Sequence, residues 1–204
     1  MRIGLFGGSF NPIHKGHVAL GRAMLEKAGL DEVWYMVSPE NPLKHGNTDL
    51  APEQMRLRMV EAALKNERRL WASDYEFRLP KPSYTWNTLR HLRTDYPEHT
   101  FVLIIGGDNW VHFHRWAHYV EILRDYEVAV YPRRDDSWDT SVPIQIEEEI
   151  EKGNIEVKGV THIEVPLLDV SSTMVRQRIR CGEDITSLIP ETVVAEVEKY
   201  SLYR

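Results

Sequence analysis

The chain is poor in several things, and each scarcity removes a class of protein. It has a single cysteine, Cys181, among 204 residues. One thiol forms no internal disulfide, so a disulfide-stapled secreted scaffold is excluded and a reducing cytoplasm is the expected compartment. Cys181 itself reads as a small, partly buried side chain. No apolar stretch is long enough to span a membrane, and the segment after Met1-Arg2 meets glycines within a few residues, unlike a signal peptide. Positive charge is also short: the formal net charge is −6, which argues against phosphate-backbone binding to nucleic acid. Internal repeats and low-complexity segments are absent.

What remains is ordinary for one globular domain, with 42% hydrophobic and 27% charged residues. Strand-like and helix-like patterns alternate. Strands are expected at Ile3 to Phe6, Glu32 to Val37, Leu70 to Ser73, Phe101 to Ile105 and Glu127 to Tyr131. Helices are expected at Gly16 to Ala28, ending at Gly29, at Glu53 to Leu64 behind Pro52, at Trp86 to Asp95, stopped by Pro97, and at Ile144 to Glu151. The polar stretch Pro132 to Ser141 reads as an exposed loop, and Glu147-Glu148-Glu149 as a solvated helix face. Ser171 to Arg204 reads as two helices separated by Gly182 and Pro190. This order predicts an α/β fold with a doubly wound parallel sheet, residues 1–170 forming the core and 171–204 a helical segment of the same domain.

The most informative stretch is Gly7-Gly8-Ser9-Phe10-Asn11-Pro12-Ile13-His14-Lys15-Gly16-His17, between the first strand and the first helix. Gly7 and Gly8 allow positive φ and close approach of a ligand to the main chain. His14 and His17, three positions apart, fall on one helical face near the positive end of the dipole, where both can donate to phosphate oxygens. Gly16 reads as a clearance position beneath a ligand. The alternative is a tight turn with two surface histidines. Near the other end, Ser171-Ser172-Thr173 opens a helix with Arg176 one turn after Thr173, a second phosphate cradle or, alternatively, a simple helix cap. Between them, Ser83, Tyr84 and Thr85 precede a helix whose free amides suit a carboxylate, and Trp116 offers a plane for stacking a heterocycle; a cap and a packed aromatic are the rival assignments. His114 and His118, at i,i+4 spacing beside His112, could suggest a metal site, but no Cys or well-placed carboxylate accompanies them, so no protein metal site is assigned.

The eleven-residue string resembles the signature of the H-x-G-H nucleotidyltransferase superfamily in its nicotinate-nucleotide adenylyltransferase form. Val170-Ser171-Ser172-Thr173-Met174-Val175-Arg176 is similar to the I-S-S-T-x-I-R motif of those enzymes. Pro82-Ser83-Tyr84-Thr85-x-x-Thr88-Leu89, Ile104-Ile105-Gly106-Gly107-Asp108, Phe113-x-x-Trp116 and Asn41-Pro42-Leu43-Lys44 resemble further segments of the same family, so that the likeness covers nearly the whole chain.

The resemblance implies a Rossmann-like nucleotidyltransferase fold and adenylyl transfer from ATP to nicotinate mononucleotide. His14, His17, Lys44 and Arg176 would be the catalytic residues. Gly7, Gly8, Ser9, Phe10, Gly106, Asp108, Ser172 and Thr173 would bind ATP, with Asp108 at the ribose. Ser83, Tyr84, Thr85, His112 and Trp116 would bind the acceptor. Mg²⁺ is expected to arrive with ATP rather than in a carboxylate cage. Nicotinamide mononucleotide or phosphopantetheine as acceptor, or a non-catalytic nucleotide sensor, are the alternatives. A Rossmann dehydrogenase is disfavoured because the first loop is not Gly-x-Gly-x-x-Gly. Partners are small molecules, not nucleic acid or membrane, and homo-oligomer formation is left open.

Overall fold

The computed structural model describes residues 1–40, 49–132, 145–165 and 168–204. The strands are β1 (Arg2–Gly8), β2 (Glu32–Val37), β3 (Leu70–Ser73), β4 (Thr100–Gly106), β5 (Glu127–Tyr131) and β6 (Gly159–His162). They form one six-stranded sheet in the order β3-β2-β1-β4-β5-β6, with every neighbouring pair parallel. The direction of winding reverses between β1 and β4. The loops leaving those two strands diverge there and open a crevice beyond their carboxyl ends, the place where folds of this type bind ligands.

Alternation along the strands divides the core. Phe6, Val33, Tyr35, Val102, Ile104 and Ala129 point to one face, where α1 (Lys15–Lys27) and α2 (Glu53–Leu64) pack together with α7 (Ser172–Cys181) and α8 (Glu191–Lys199). Ile3, Leu5, Met36, Leu103, Ile105, Val128 and Val130 point to the other. That face is covered by α3 (Thr85–Asp95), α4 (Gly107–Val111), α5 (Tyr119–Asp125) and α6 (Gln145–Glu151). Burying each such side chain is worth about 1.5 to 3 kcal/mol, so both helical layers are needed to cover a sheet apolar on both faces. The C-terminal helices are thus part of one helical layer: Lys15 N–H donates to Leu188 O (3.0 Å) and Thr192 Oγ1 to Ala62 O (2.7 Å).

The doubly wound architecture is the expected one. Differences are local. β6 carries no strand signal in the sequence, because Gly159, Thr161 and His162 give this short edge strand no apolar run. α4 and α5 are too short for a helical period to show in sequence, and α5 follows His118 in the left-handed region (φ 57°). Cys181 is exposed rather than partly buried. Gly182, with φ 68°, ends α7 as expected. Residues 133–141 of the proposed exposed loop, and Ile144, lie outside the described residues. No helix among the described residues is long and apolar enough to cross a membrane.

Candidate active site

The turn from β1 into α1 is organised by its two histidines. His14 is the N-cap of α1, and its Nδ1 accepts from His17 N–H at 3.3 Å; His17 Nδ1 accepts from His14 N–H at 3.1 Å. The rings stack at 3.6 Å with an interplanar angle of 20°. Since both Nδ1 atoms accept, the neutral rings carry their hydrogen on Nε2, which makes each Nε2 a donor. Phe10 supports the pair. Its buried ring packs edge-on to His17 at 5.2 Å and against Phe6 and Tyr35.

The glycines act differently from expectation. Gly7 and Gly8 belong to β1, and the left-handed residue of the turn is Phe10 (φ 45°). A Cβ on Gly7 would meet nothing within 4 Å, so the main chain there is open to close approach. A Cβ on Gly16 would come within 3.0 Å of both His14 Nδ1 and Val170 Cγ1. That position clears the histidine and the segment before α7, not a ligand.

Three carbonyls of the loop are held by side chains from elsewhere. Ser9 O accepts from Arg56 Nη1 (2.7 Å), Asn11 O from Arg176 Nη1 (2.8 Å) and Pro12 O from Ser172 Oγ (2.9 Å). Asn11 is a hub: its Oδ1 accepts from Ala51 N–H (3.0 Å) and from Tyr203 Oη (2.8 Å), and its Nδ2 donates to Asp49 O (2.9 Å). Arg56, 1% exposed, also donates to Ala51 O and Ser38 O. Burial lowers the pKa of its guanidinium, and burial raises that of the Tyr203 phenol against the pull of Arg176 and Arg56. Of the second cradle, Ser171 is the cap of α7, accepting from Met174 N–H, while the Ser172 proton is committed to Pro12. Thr173 is exposed. Arg176 Nε is buried without a hydrogen-bond partner, so the guanidinium keeps donor capacity beyond its bond to Asn11.

The crevice between β1 and β4 continues as a cavity of about 1090 Å³, its open mouth included. Of the residues singled out in the sequence, Gly7, Gly8, Gly106, Ser83, Tyr84, Thr85 and Trp116 line it. The segment Ser83–Tyr84 delivers the N-terminus of α3 to the cavity, and no side chain caps that helix. Its first amides therefore remain available to an anion. Trp116 is half-buried against fully buried Phe113, with ring centroids 4.9 Å apart. Asp108 stands in the first turn of α4 with Asn109 Nδ2 3.4 Å from its Oδ1.

His112 does not join the others. It is exposed at the end of α4 and is not among the residues that line the cavity. His118 pairs with Glu121 Oε1 at 3.0 Å and stacks on Trp86. Among the described residues, no cluster of His, Cys, Asp and Glu side chains could hold a metal ion. Lys44 lies outside the described residues.

Sequence reasoning missed Arg56, the structural role of Asn11, and Glu76, which lines the cavity while only 7% exposed. Arg56 was findable: it sits on the stripe of α2 that buries Met59 and Val60, where a charged residue demands internal partners.

Residues 5–178 match the cytidylyltransferase-like family. A probable nicotinate-nucleotide adenylyltransferase of Cytophaga hutchinsonii is 44% identical over 204 residues, covering 100% of this chain and 97% of the relative. One of Flavobacterium johnsoniae is 39% identical, covering 100% of both chains. In fold, the chain is similar to the Plasmodium falciparum nicotinic acid mononucleotide adenylyltransferase complexed with NaAD, with TM-score 0.78, 20% identity and coverage of 99% and 97%. By these matches the chain belongs to the cytidylyltransferase-like family and, within it, to the nicotinate-nucleotide adenylyltransferases.

Proposed function

We propose that the chain transfers AMP from ATP to the 5′-phosphate of nicotinate mononucleotide. The observation that carries this is the position of Gly7 and Gly8, which line the cavity and lead directly into the clamped loop bearing His14 and His17. A phosphate oxygen of the acceptor attacks the α-phosphorus of ATP. The bond from that phosphorus to the bridging oxygen breaks, and pyrophosphate leaves with the electron pair, giving deamido-NAD. The attacking phosphate has a second pKa near about 6 and is already ionised at neutral pH, so no general base is needed and catalysis reduces to placement and charge.

Each residue then has a role. The Nε2 hydrogens of His14 and His17 donate to the phosphate oxygens as charge shifts onto them. Arg176, with Lys44 from the 41–48 segment, neutralises the leaving pyrophosphate. The amides after Gly106 and the Asp108 carboxylate hold adenosine, Thr173 and the backbone of Ser9 and Phe10 meet the triphosphate, and Ser172 keeps the loop in place. At the other end the amides of α3 and the Thr85 hydroxyl receive the ring carboxylate while Trp116 stacks on the pyridine. Magnesium enters as part of the ATP substrate, its ligands being phosphate oxygens. The lone thiol and the nucleotide substrates favour the cytoplasm as the compartment.

The test is pyrophosphate release with ATP, Mg²⁺ and either nicotinate mononucleotide or its amide. Preferential turnover of the acid is expected. Preference for the amide would overturn the acceptor, and release with neither would overturn the reaction.

A further inference from the structure

The walls of the cavity are largely apolar, yet its lining includes a carboxyl group that the reaction above does not use. Glu76 lies on a 3₁₀ turn, Tyr75–Arg78, between β3 and α3, and is 7% exposed. Its Oε1 accepts from Thr88 Oγ1 at 2.8 Å, and Thr88 stands one turn into α3. Its Oε2 and Ser83 Oγ are both buried without a well-formed hydrogen bond, although the Ser38 and Ser83 hydroxyls lie near enough to favour the ionised carboxyl. Both residues line the cavity. Buried polar atoms short of hydrogen bonds in a cavity wall are where a ligand group can supply them.

Resting on the proposed reaction, we propose that Glu76 is a specificity-determining residue, its Oε2 and the neighbouring Ser83 hydroxyl reading the substituent on the acceptor's pyridine ring. A neutral carboxyl offers an O–H donor, which pairs with a ring carboxylate. An ionised one offers only acceptors, which repel that carboxylate and favour the N–H groups of a carboxamide. Acceptor choice therefore follows the charge on Glu76. Burial raises the pKa of Glu76, opposed by the hydroxyls of Thr88 on α3, Ser38 after β2 and Ser83 before α3. The other ionisable side chains lining the cavity are Tyr84, Tyr131 and Arg115, with Arg115 exposed.

The experiment is calorimetric binding of nicotinate mononucleotide and of nicotinamide mononucleotide to the wild-type protein and to Glu76→Gln, from about pH 5 to about pH 8.5. The 5′-phosphate titrates identically in both ligands and cancels in the ratio of their affinities. In the wild type the acid-to-amide ratio should fall as pH rises, by about tenfold for a coupling of one pKa unit between the two groups. In Glu76→Gln the ratio should be flat. A flat wild-type ratio, a variant with the wild-type slope, or binding of neither ligand overturns the assignment. If Glu76→Gln does not fold, the wild-type slope decides alone. Pyrophosphate release measured alongside separates the two ideas: turnover with a flat ratio removes Glu76 and leaves the reaction, whereas the slope without turnover keeps Glu76 and removes the reaction.

Discussion

Tyr203 Oη donates to Asn11 Oδ1 across 2.8 Å, tying the segment after α8 to the loop that leaves the first strand. Asn11 presents its main-chain carbonyl to Arg176 at the same time, so one residue joins the loop after β1 to two C-terminal side chains.

Tyr203→Phe removes that donor while Ala51 N–H still reaches Asn11 Oδ1. The expected cost is about 0.5 to 1.5 kcal/mol, read by thermal melting. The KM for ATP should rise while that for the acceptor stays constant; an equal rise in both would count against a role at the loop.

Arg56→Met leaves the carbonyls of Ser9, Ser38 and Ala51 without their donor. A loss of about 3 kcal/mol or more is expected in the urea unfolding free energy. Arg56→Lys should rescue little, because an ammonium is a point charge that cannot span carbonyls set apart as a guanidinium fork does.

His17→Ala should lower kcat by on the order of 10² to 10³, with a smaller change in ATP affinity. His14→Asn keeps a good N-cap, so its melting temperature should stay near wild type while turnover falls. Steady-state kinetics beside a melting curve separates capping from catalysis at this residue.

Trp116→Ala should raise the KM of the pyridine nucleotide about 5- to 150-fold, equivalent to roughly 1 to 3 kcal/mol of lost stacking. The KM of ATP is expected to remain as it was, and Trp116→Phe should recover most of the loss.

Glu76→Gln should stabilise the protein more at high pH than at low pH. The native carboxyl has its pKa raised by burial, so between the unfolded and folded values the native state holds the extra proton and stability falls as pH rises. Below the unfolded value both states are protonated and the variant gains nothing from this source. Melting temperatures of both proteins across about pH 4 to about pH 9 check the sign.

The frame of the fold was legible because its signals are local. Val102 to Ile105 is apolar without a break, as a strand covered on both faces must be, and Pro52, Gly182 and Pro190 punctuate helices where backbone chemistry requires it. The two ends of the site were legible as strings. Their connections were not: Arg56 to Ser9, Arg176 to Asn11 and Tyr203 to Asn11 pair residues far apart in sequence, and each donor has several plausible acceptors until the chain is folded. Ser172 shows the same limit. A hydroxyl at a helix start caps, binds anions or holds a neighbouring carbonyl with equal chemical ease, and only packing selects Pro12. Glu76 was hidden by its setting in Tyr75-Glu76-Phe77, where no spacing distinguishes a buried acid from an exposed one.

The seam between β1 and β4 joins Arg2 to Thr100, about a hundred residues of chain apart, although each half of the sheet is built from nearer neighbours. Closing so large a loop is entropically slow, which makes zipping of this seam the step expected to limit the folding rate. The crevice between the two strands exists only once that closure is complete. Nucleotides that recognise the finished crevice should therefore retard its reopening, lengthening native lifetime in a protease challenge without hastening the first assembly of the sheet.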